Sequence, residues 1–214
     1  MIKTSTLVRF LGADLPSCPD QLIELALTKA AIKLCRESHC WSEIQGPTPM
    51  ADGQQEYSVD GPDDGVVVAV RNVWAPSREL LPKSMEWIQT KIPNWATATS
   101  TEPAYYNAAS TDPDTIRLFP IPLETNGAAL RVRVSFAPSV ASTSLHETVV
   151  ERYLETLLAG ARYRLMLNPG KAWSNAQLAA YYKQEFDDGI ANARGHVAHD
   201  YTPSTLVAQP RRFR

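Results

Sequence analysis

The sequence predicts an α+β fold: an antiparallel helical bundle, made of an N-terminal helix and two long C-terminal helices, with an inserted β-rich domain and an extended C-terminal arm. Three observations carry this. Apolar residues recur at helical spacing from about residue 20 to 38, and again from 147 to 194. In between, Leu130, Val132, Val134 and Phe136 alternate with Arg131, Arg133 and Ser135, which is the period of a half-buried strand. Prolines concentrate between Gly46 and Pro138, where they suit loops and strand edges and break helices. The boundaries follow: 1–41 and 145–194 form the helical unit, 42–144 the β-rich insertion, and 195–214 the tail.

A chain of 214 residues is one domain, or one domain with an insertion, and can bury a core without disulfides or metal. A hydrophobic share of 44% and a charged share of 21% are those of an ordinary globular chain. The formal net charge of -2 gives no overall pull toward nucleic acid or anionic lipid. Three cysteines, an odd and low number, suggest reduced thiols in a cytosolic setting. Asp14, Pro16 and Pro19 interrupt any secretory signal pattern. No run approaches the ~18 apolar residues that span a bilayer. The chain is therefore expected to be made in a cytoplasm and to have no membrane partner.

Residues 1–16 hold the apolar piece Leu7-Val8-Arg9-Phe10-Leu11 and read as a leading strand or an extended arm. Ser17-Cys18-Pro19-Asp20 is a helix start, because proline's missing N–H would be unpaired there and Asp20 suits the dipole. Ile23, Leu27, Ala30, Ala31 and Leu34 form the inner stripe of that helix, and Trp41 closes the end of the core. Residues 55–59 and 66–74 read as a strand pair around the turn cluster Gly61-Pro62-Asp63-Asp64-Gly65. Segments 76–81 and 84–88 each read as a short helical turn with a serine cap. Residues 104–107 and 115–119 read as strands, the second ended by Pro120 and Pro122, and Asn126-Gly127 as a turn. The first long C-terminal helix is predicted over 147–167, with Val150, Leu154, Leu157, Leu158, Ala161 and Leu165 on its inner side. Asn168-Pro169-Gly170 stops it. The second is predicted over 172–194 on a stripe of Trp173, Ala176, Ala179, Tyr182, Phe186, Ile190 and Ala193. So short a connection sets the two antiparallel.

Candidate chemistry is sparse. Cys35, His39 and Cys40 form the best metal-like cluster, but a structural zinc needs four ligands and no fourth is evident. His196, His199 and Asp200 resemble a ligand trio at a fraying helix end, where a solvated or interface role is the expectation. Asn168-Pro169-Gly170-Lys171 lacks the strand, the glycines and the hydroxyl residue of a phosphate loop. The acidic pairs Asp63/Asp64, Asp112/Asp114 and Asp187/Asp188 read as turn or surface residues. No catalytic residue, metal or cofactor is expected. The feature with functional promise is the terminus, where Arg211, Arg212 and Arg214 flank Phe213: an arm that anchors on a partner through the ring while the arginines pair carboxylates.

The chain resembles the bacteriophage head-to-tail adaptors, also called head completion or tail tubular A-like proteins. The resemblance lies in layout: a leading helix ending near Trp41; a β block with the valines of 66–70, Leu118-Phe119-Pro120-Ile121-Pro122 and the 132–138 strand; then Leu157-Leu158-Ala159-Gly160-Ala161, Trp173, Tyr181-Tyr182 and Phe186, and an arm. It covers roughly 18–194. It implies a non-enzymatic structural virion protein of the neck, forming rings typically of about twelve subunits by side-to-side contact. Such a ring binds the portal protein, extends the channel for double-stranded DNA without gripping it, and offers an attachment surface to tail or nozzle proteins. Assembly would take place in the host cytoplasm. It also implies that Arg211, Arg212, Phe213 and Arg214 meet the portal or a neighbouring subunit. Two alternatives stand beside this. A small-molecule-binding protein or enzyme would need a site among Trp74, Trp87, Trp95, Tyr105 and Tyr106. A double-stranded DNA binder would need a basic stripe outside the tail.

Overall fold

In a computed structural model of the chain, which describes residues 1–108, 114–123 and 127–199, the first sixteen residues fold back onto the body. Only β1 (Ile2–Lys3) is extended, and it pairs antiparallel with β11 (Ser144–Leu145). Helix α1 (Thr4–Leu7) and a 3-10 turn over Val8–Phe10 follow. The predicted strand or arm is thus mostly helical turns. Leu7, Leu11 and Leu15, four residues apart, are all buried; that spacing suits one face of a strand or of a helix, and the turns closed by Leu11 N–H on the Val8 carbonyl and Leu15 N–H on the Leu11 carbonyl make the path helical.

Helix α2 (Asp20–Ser38) forms where predicted, and every residue of its expected inner stripe is buried. His39 ends it in the left-handed conformation at φ 56°, its N–H donating to the Cys35 carbonyl at 2.9 Å. Trp41 closes the core as expected. Its ring stacks on His146 at 4.9 Å and tilts against Phe136 at 5.6 Å.

The β-rich part is one curled seven-stranded sheet of order β2-β10-β4-β5-β7-β8-β3. These strands are β2 (Ser42–Pro49), β3 (Glu56–Ser58), β4 (Gly65–Trp74), β5 (Glu79–Pro82), β7 (Tyr105–Ala108), β8 (Thr115–Phe119) and β10 (Ala129–Pro138). Neighbours are antiparallel except β5 and β7, which run parallel. The crossover between those two carries α3 (Met85–Lys91), capped by Ser84 as the sequence predicts, and β6 (Thr99–Ser100). Strand β6 pairs with β9 (Ile121–Pro122).

Four sequence expectations change here. The strand pair of 55–59 with 66–74 does not form, because β10 and β5 take the two edges of β4, and β3 joins β8 instead. Residues 79–82 are strand β5 rather than a helical turn. Leu80 is fully buried opposite Val73, and that tertiary pairing overrides the local serine-cap signal. Strand β2 was hidden by Gly46, Pro47 and Pro49, which read as loop residues; an edge strand tolerates them. Ser135, expected on the outer face of β10, is buried.

The C-terminal helices are α4 (Glu147–Met166) and α5 (Ala176–Ala198). Helix α4 carries a break in helical geometry at Tyr153, with φ -129° and ψ 28°. Helix α5 starts four residues later than predicted, and Trp173 sits half-buried in the corner before it. The Asn175 carboxamide accepts from Leu178 N–H at 3.1 Å, and the Asn175 N–H reaches the Met166 carbonyl at 3.0 Å. At its far end α5 runs on through residues 195–198, which the sequence placed in the tail. Helices α2, α4 and α5 pack on one another, and α2 also packs on β10. One buried cluster runs from Leu27, Leu157 and Phe186 in the helices to Val134, Phe136 and Val73 in the sheet.

Candidate functional site

The tail end singled out by sequence, Arg211, Arg212, Phe213 and Arg214, lies outside the described residues, as do Asp112 and Asp200. The other candidates can be placed.

Cys35 and Cys40 do come together. Their sulfurs are 3.9 Å apart and both thiols are buried. The bond to Cys40, and then burial, push the Cys35 thiol well above its usual range. His39 does not join them. The left-handed cap turns its ring toward the sheet, where Nδ1 donates to Ser135 Oγ at 3.0 Å and Ser135 in turn donates to the Ala69 carbonyl at 3.1 Å. That hydroxyl relay explains why a buried serine interrupts the alternation of β10. Burial first, and then the charges of Arg71 and Arg194, hold His39 below its ordinary value of 6.5. Among the described residues no group of three or more His, Cys, Asp or Glu could hold a metal ion. His196 stacks on Tyr153 at 6.4 Å.

The acidic pairs separate in role. Asp64 accepts from the Ser144 hydroxyl, and its carbonyl accepts from Ser139 N–H at 3.0 Å, so it ties β4's entrance to the β10–β11 loop. Asp187 accepts from Lys183 at 2.8 Å and Lys33 at 3.1 Å, and the Lys183 bond leads in holding its carboxyl below the usual value. Asp188 is exposed. In the corner after α4, Gly170 takes φ 73° and Lys171 serves a backbone turn to Ser174, so the superficial phosphate loop is a connection.

The five aromatics of the ligand-site alternative do not line one cleft. Trp87 packs edge-on to Tyr105 at 5.1 Å, Trp95 tilts against Phe119 at 6.3 Å, and the buried Tyr106 donates its hydroxyl to the Arg71 carbonyl at 3.0 Å. Trp74 alone of the five faces an open groove of ≈ 1030 Å³, with Ile44 and Pro47 of β2, Arg131 and Arg133 of β10, and the 75–79 turn around it. Its polar groups are largely engaged in structure. Arg78 donates to the Glu102 and Pro103 carbonyls at 3.3 and 3.0 Å, Glu79 accepts from Asn72 at 2.6 Å, and the Arg133 guanidinium sits 5.7 Å from the Trp74 ring centre. Arg131 is exposed. Such a groove can receive a peptide or a neighbouring strand through apolar and cationic contact. Sequence reading missed it because the groove exists only once β2 is recognised as a strand. The period-two signal of β2 is broken by its glycine and prolines.

Two grooves also flank the outer side of α2, where α4 ends. They measure ≈ 420 and ≈ 450 Å³ and share Lys29 and Arg164. Among the described residues no helix is long and apolar enough to cross a membrane.

The sequence profile of the family described as SU10 adaptor protein matches residues 3–209, nearly the whole chain. No curated protein matches it.

Proposed function

As the chain belongs to the SU10 adaptor protein family, it is a structural protein of the phage virion, and we propose that it works as the head-to-tail adaptor ring of the neck. In this reading, copies join side to side into a closed ring, about twelve in number, through one repeated heterologous contact. The helical unit, 1–41 and 145–194, builds the wall. The β-rich insertion, 42–144, packs against it and offers strand edges to tail or nozzle proteins. The arm beyond α5, with Phe213 as anchor and Arg211, Arg212 and Arg214 pairing carboxylates, engages the portal or the next subunit. Double-stranded DNA passes through the lumen unbound. A net charge of -2 agrees with that, since neutralised phosphates are what make DNA binding tight and salt-dependent.

The observation that carries the reading is the reach of the family match, 3–209, across both the helices and the sheet and into the arm. The test is capture by an immobilised portal ring, followed by mass measurement of the eluted complex. The full chain is expected to be retained as a multiple-copy assembly, and a chain cut after residue 199 to be lost. Retention of the shortened chain at full level would refute the role of the arm. Failure of the full chain to bind would refute the adaptor role itself.

A further inference from the structure

The outward side of α2 carries a stripe at alternating three- and four-residue spacing: Leu22, Leu25, Lys29, Ile32 and Arg36. It covers about 21 Å of helix. Leu22 and Leu25 are 41% and 40% exposed, unusual for leucines on an otherwise well-packed helix, and Lys29 and Arg36 are exposed. Arg164 of α4 borders the same side, where its Nη2 reaches the Lys29 carbonyl at 3.5 Å. The outward side of α5 carries a second stripe with the same spacing: Leu178, Tyr181, Glu185 and Asp188. Leu178 and Tyr181 are 44% and 58% exposed. The two stripes have the same order of chemistry. Two apolar residues come first in each, and then α2 turns basic where α5 turns acidic.

The charges that do pair between these helices sit elsewhere. Lys33 meets Asp187 at 3.1 Å and Arg194 meets Glu37 at 2.9 Å, so the side of α5 that faces α2 within one chain is already satisfied. Lys29, Arg36, Glu185 and Asp188 make no ion pair among the described residues.

We propose that the α2 stripe of one copy of this chain docks in parallel on the α5 stripe of a second copy, placing Leu22 and Leu25 against Leu178 and Tyr181, and Lys29 and Arg36 against Glu185 and Asp188. Aligned from their N-terminal ends, Leu22 and Leu25 lie level with Leu178 and Tyr181, Lys29 lies level with Glu185, and Ile32 lies level with Asp188, which the long Arg36 side chain reaches from one turn beyond; reversed, Leu25 would face Asp188 and Arg36 would face Leu178. A symmetric pairing of either stripe with itself is disfavoured, since it sets Lys29 beside Lys29 or Glu185 beside Glu185. The contact is therefore heterologous, joins two different faces, and propagates from copy to copy. The inference rests on the adaptor reading for the expectation that copies meet side to side. The occupant is argued from the matching stripes.

The test is short-range thiol cross-linking of the full chain in a Cys18→Ser background. Lys29→Cys and Glu185→Cys variants are treated with a bismaleimide alone and mixed. The mixture is expected to cross-link roughly tenfold more than either variant alone, the factor given by about 1.4 kcal/mol of preferential pairing. Equal yields in all three tubes overturn the proposal. Charge reversal supplies the second arm. Lys29→Glu/Arg36→Glu and Glu185→Lys/Asp188→Lys are each expected to lose self-association in sedimentation, and to regain it when mixed, because each then offers the other's complement. No recovery on mixing two variants that circular dichroism shows to be folded overturns the proposal; where one folds poorly, the cross-linking ratio decides. Removal of 200–214 should leave the ratio unchanged; a lost preference would make that segment the occupant and overturn the helix contact. Equal cross-linking with portal capture intact sinks this interface alone, whereas lost capture with the ratio intact sinks the adaptor reading alone.

Discussion

Gly160 sets how closely α2, α4 and α5 approach. A Cβ placed there would lie 2.7 Å from the Phe186 ring and 2.9 Å from the Ala30 methyl, inside any real contact distance. Both neighbours are fully buried and have nowhere to go. Gly160→Val is expected to destabilise the fold by about 1–3 kcal/mol, read as a lowered denaturation midpoint with an unchanged slope. His39 makes a second argument at this scale. Its folded pKa is depressed by burial and then by Arg71 and Arg194, while the unfolded chain protonates near 6.5. The unfolded state therefore binds more protons around and below that value, and stability is lost as the pH falls from neutral through 6.5. His39→Asn keeps a residue that tolerates the left-handed cap but cannot charge. It is expected to show a flatter dependence of melting temperature on pH over that interval. An unchanged slope would mean that other groups carry the acid sensitivity.

At the scale of elements, caps and edges decided what periodicity left open. Trp173 and Ala176 continue the spacing of the α5 stripe, so the pattern alone extends the helix back to 172. The backbone stops it at Asn175, whose side chain takes the Leu178 N–H. Asn175→Ala is expected to cost about 1 kcal/mol and to fray the first turn of α5, visible as faster amide exchange at 177–179. Strand β2 shows the opposite case. Gly46 sits at φ 102°, and a Cβ there would meet the Leu130 carbonyl oxygen at 2.5 Å. The glycine that disguised β2 as a loop is what lets the edge strand pass this close to β10. Strand β5 was disguised by Pro76 and Ser77, and only the pairing of Leu80 with Val73 revealed it.

For the whole molecule, the continuity of the core is the governing fact. The buried cluster joins the faces of α2, α4 and α5 to the inner face of β10 and β4 without a gap. Helix content, followed by far-ultraviolet circular dichroism, and tryptophan emission, which reports chiefly on Trp41, Trp74, Trp87 and Trp95 around the sheet, are expected to unfold with one midpoint in urea. Two separated midpoints would mean that the helical and β-rich parts hold together independently. The same architecture leaves the outer sides of α2 and α5 and the β2 edge for contact with other molecules, which is what a ring component needs.

The sequence by itself determined the three long helices to within a few residues, the strand around the 130–136 alternation and the buried identity of Trp41. Each of these rests on a repeat or a payload readable along the chain: a 3.6-residue stripe, strict alternation, a large ring just past a helix. The layout of these pieces also carried the resemblance to the adaptors, which the family match bears out. Only the tertiary structure decided which strands pair, since β10, which takes one edge of β4, lies far along the chain, and β3 passes over its neighbour β4 to join β8, outcomes set by burial rather than local preference. It alone turned Ser135 inward to hold His39, scattered the five aromatics, and set two stripes of opposite charge on different faces of one subunit. Those outcomes depend on which surfaces the core consumes first, and no local pattern records that.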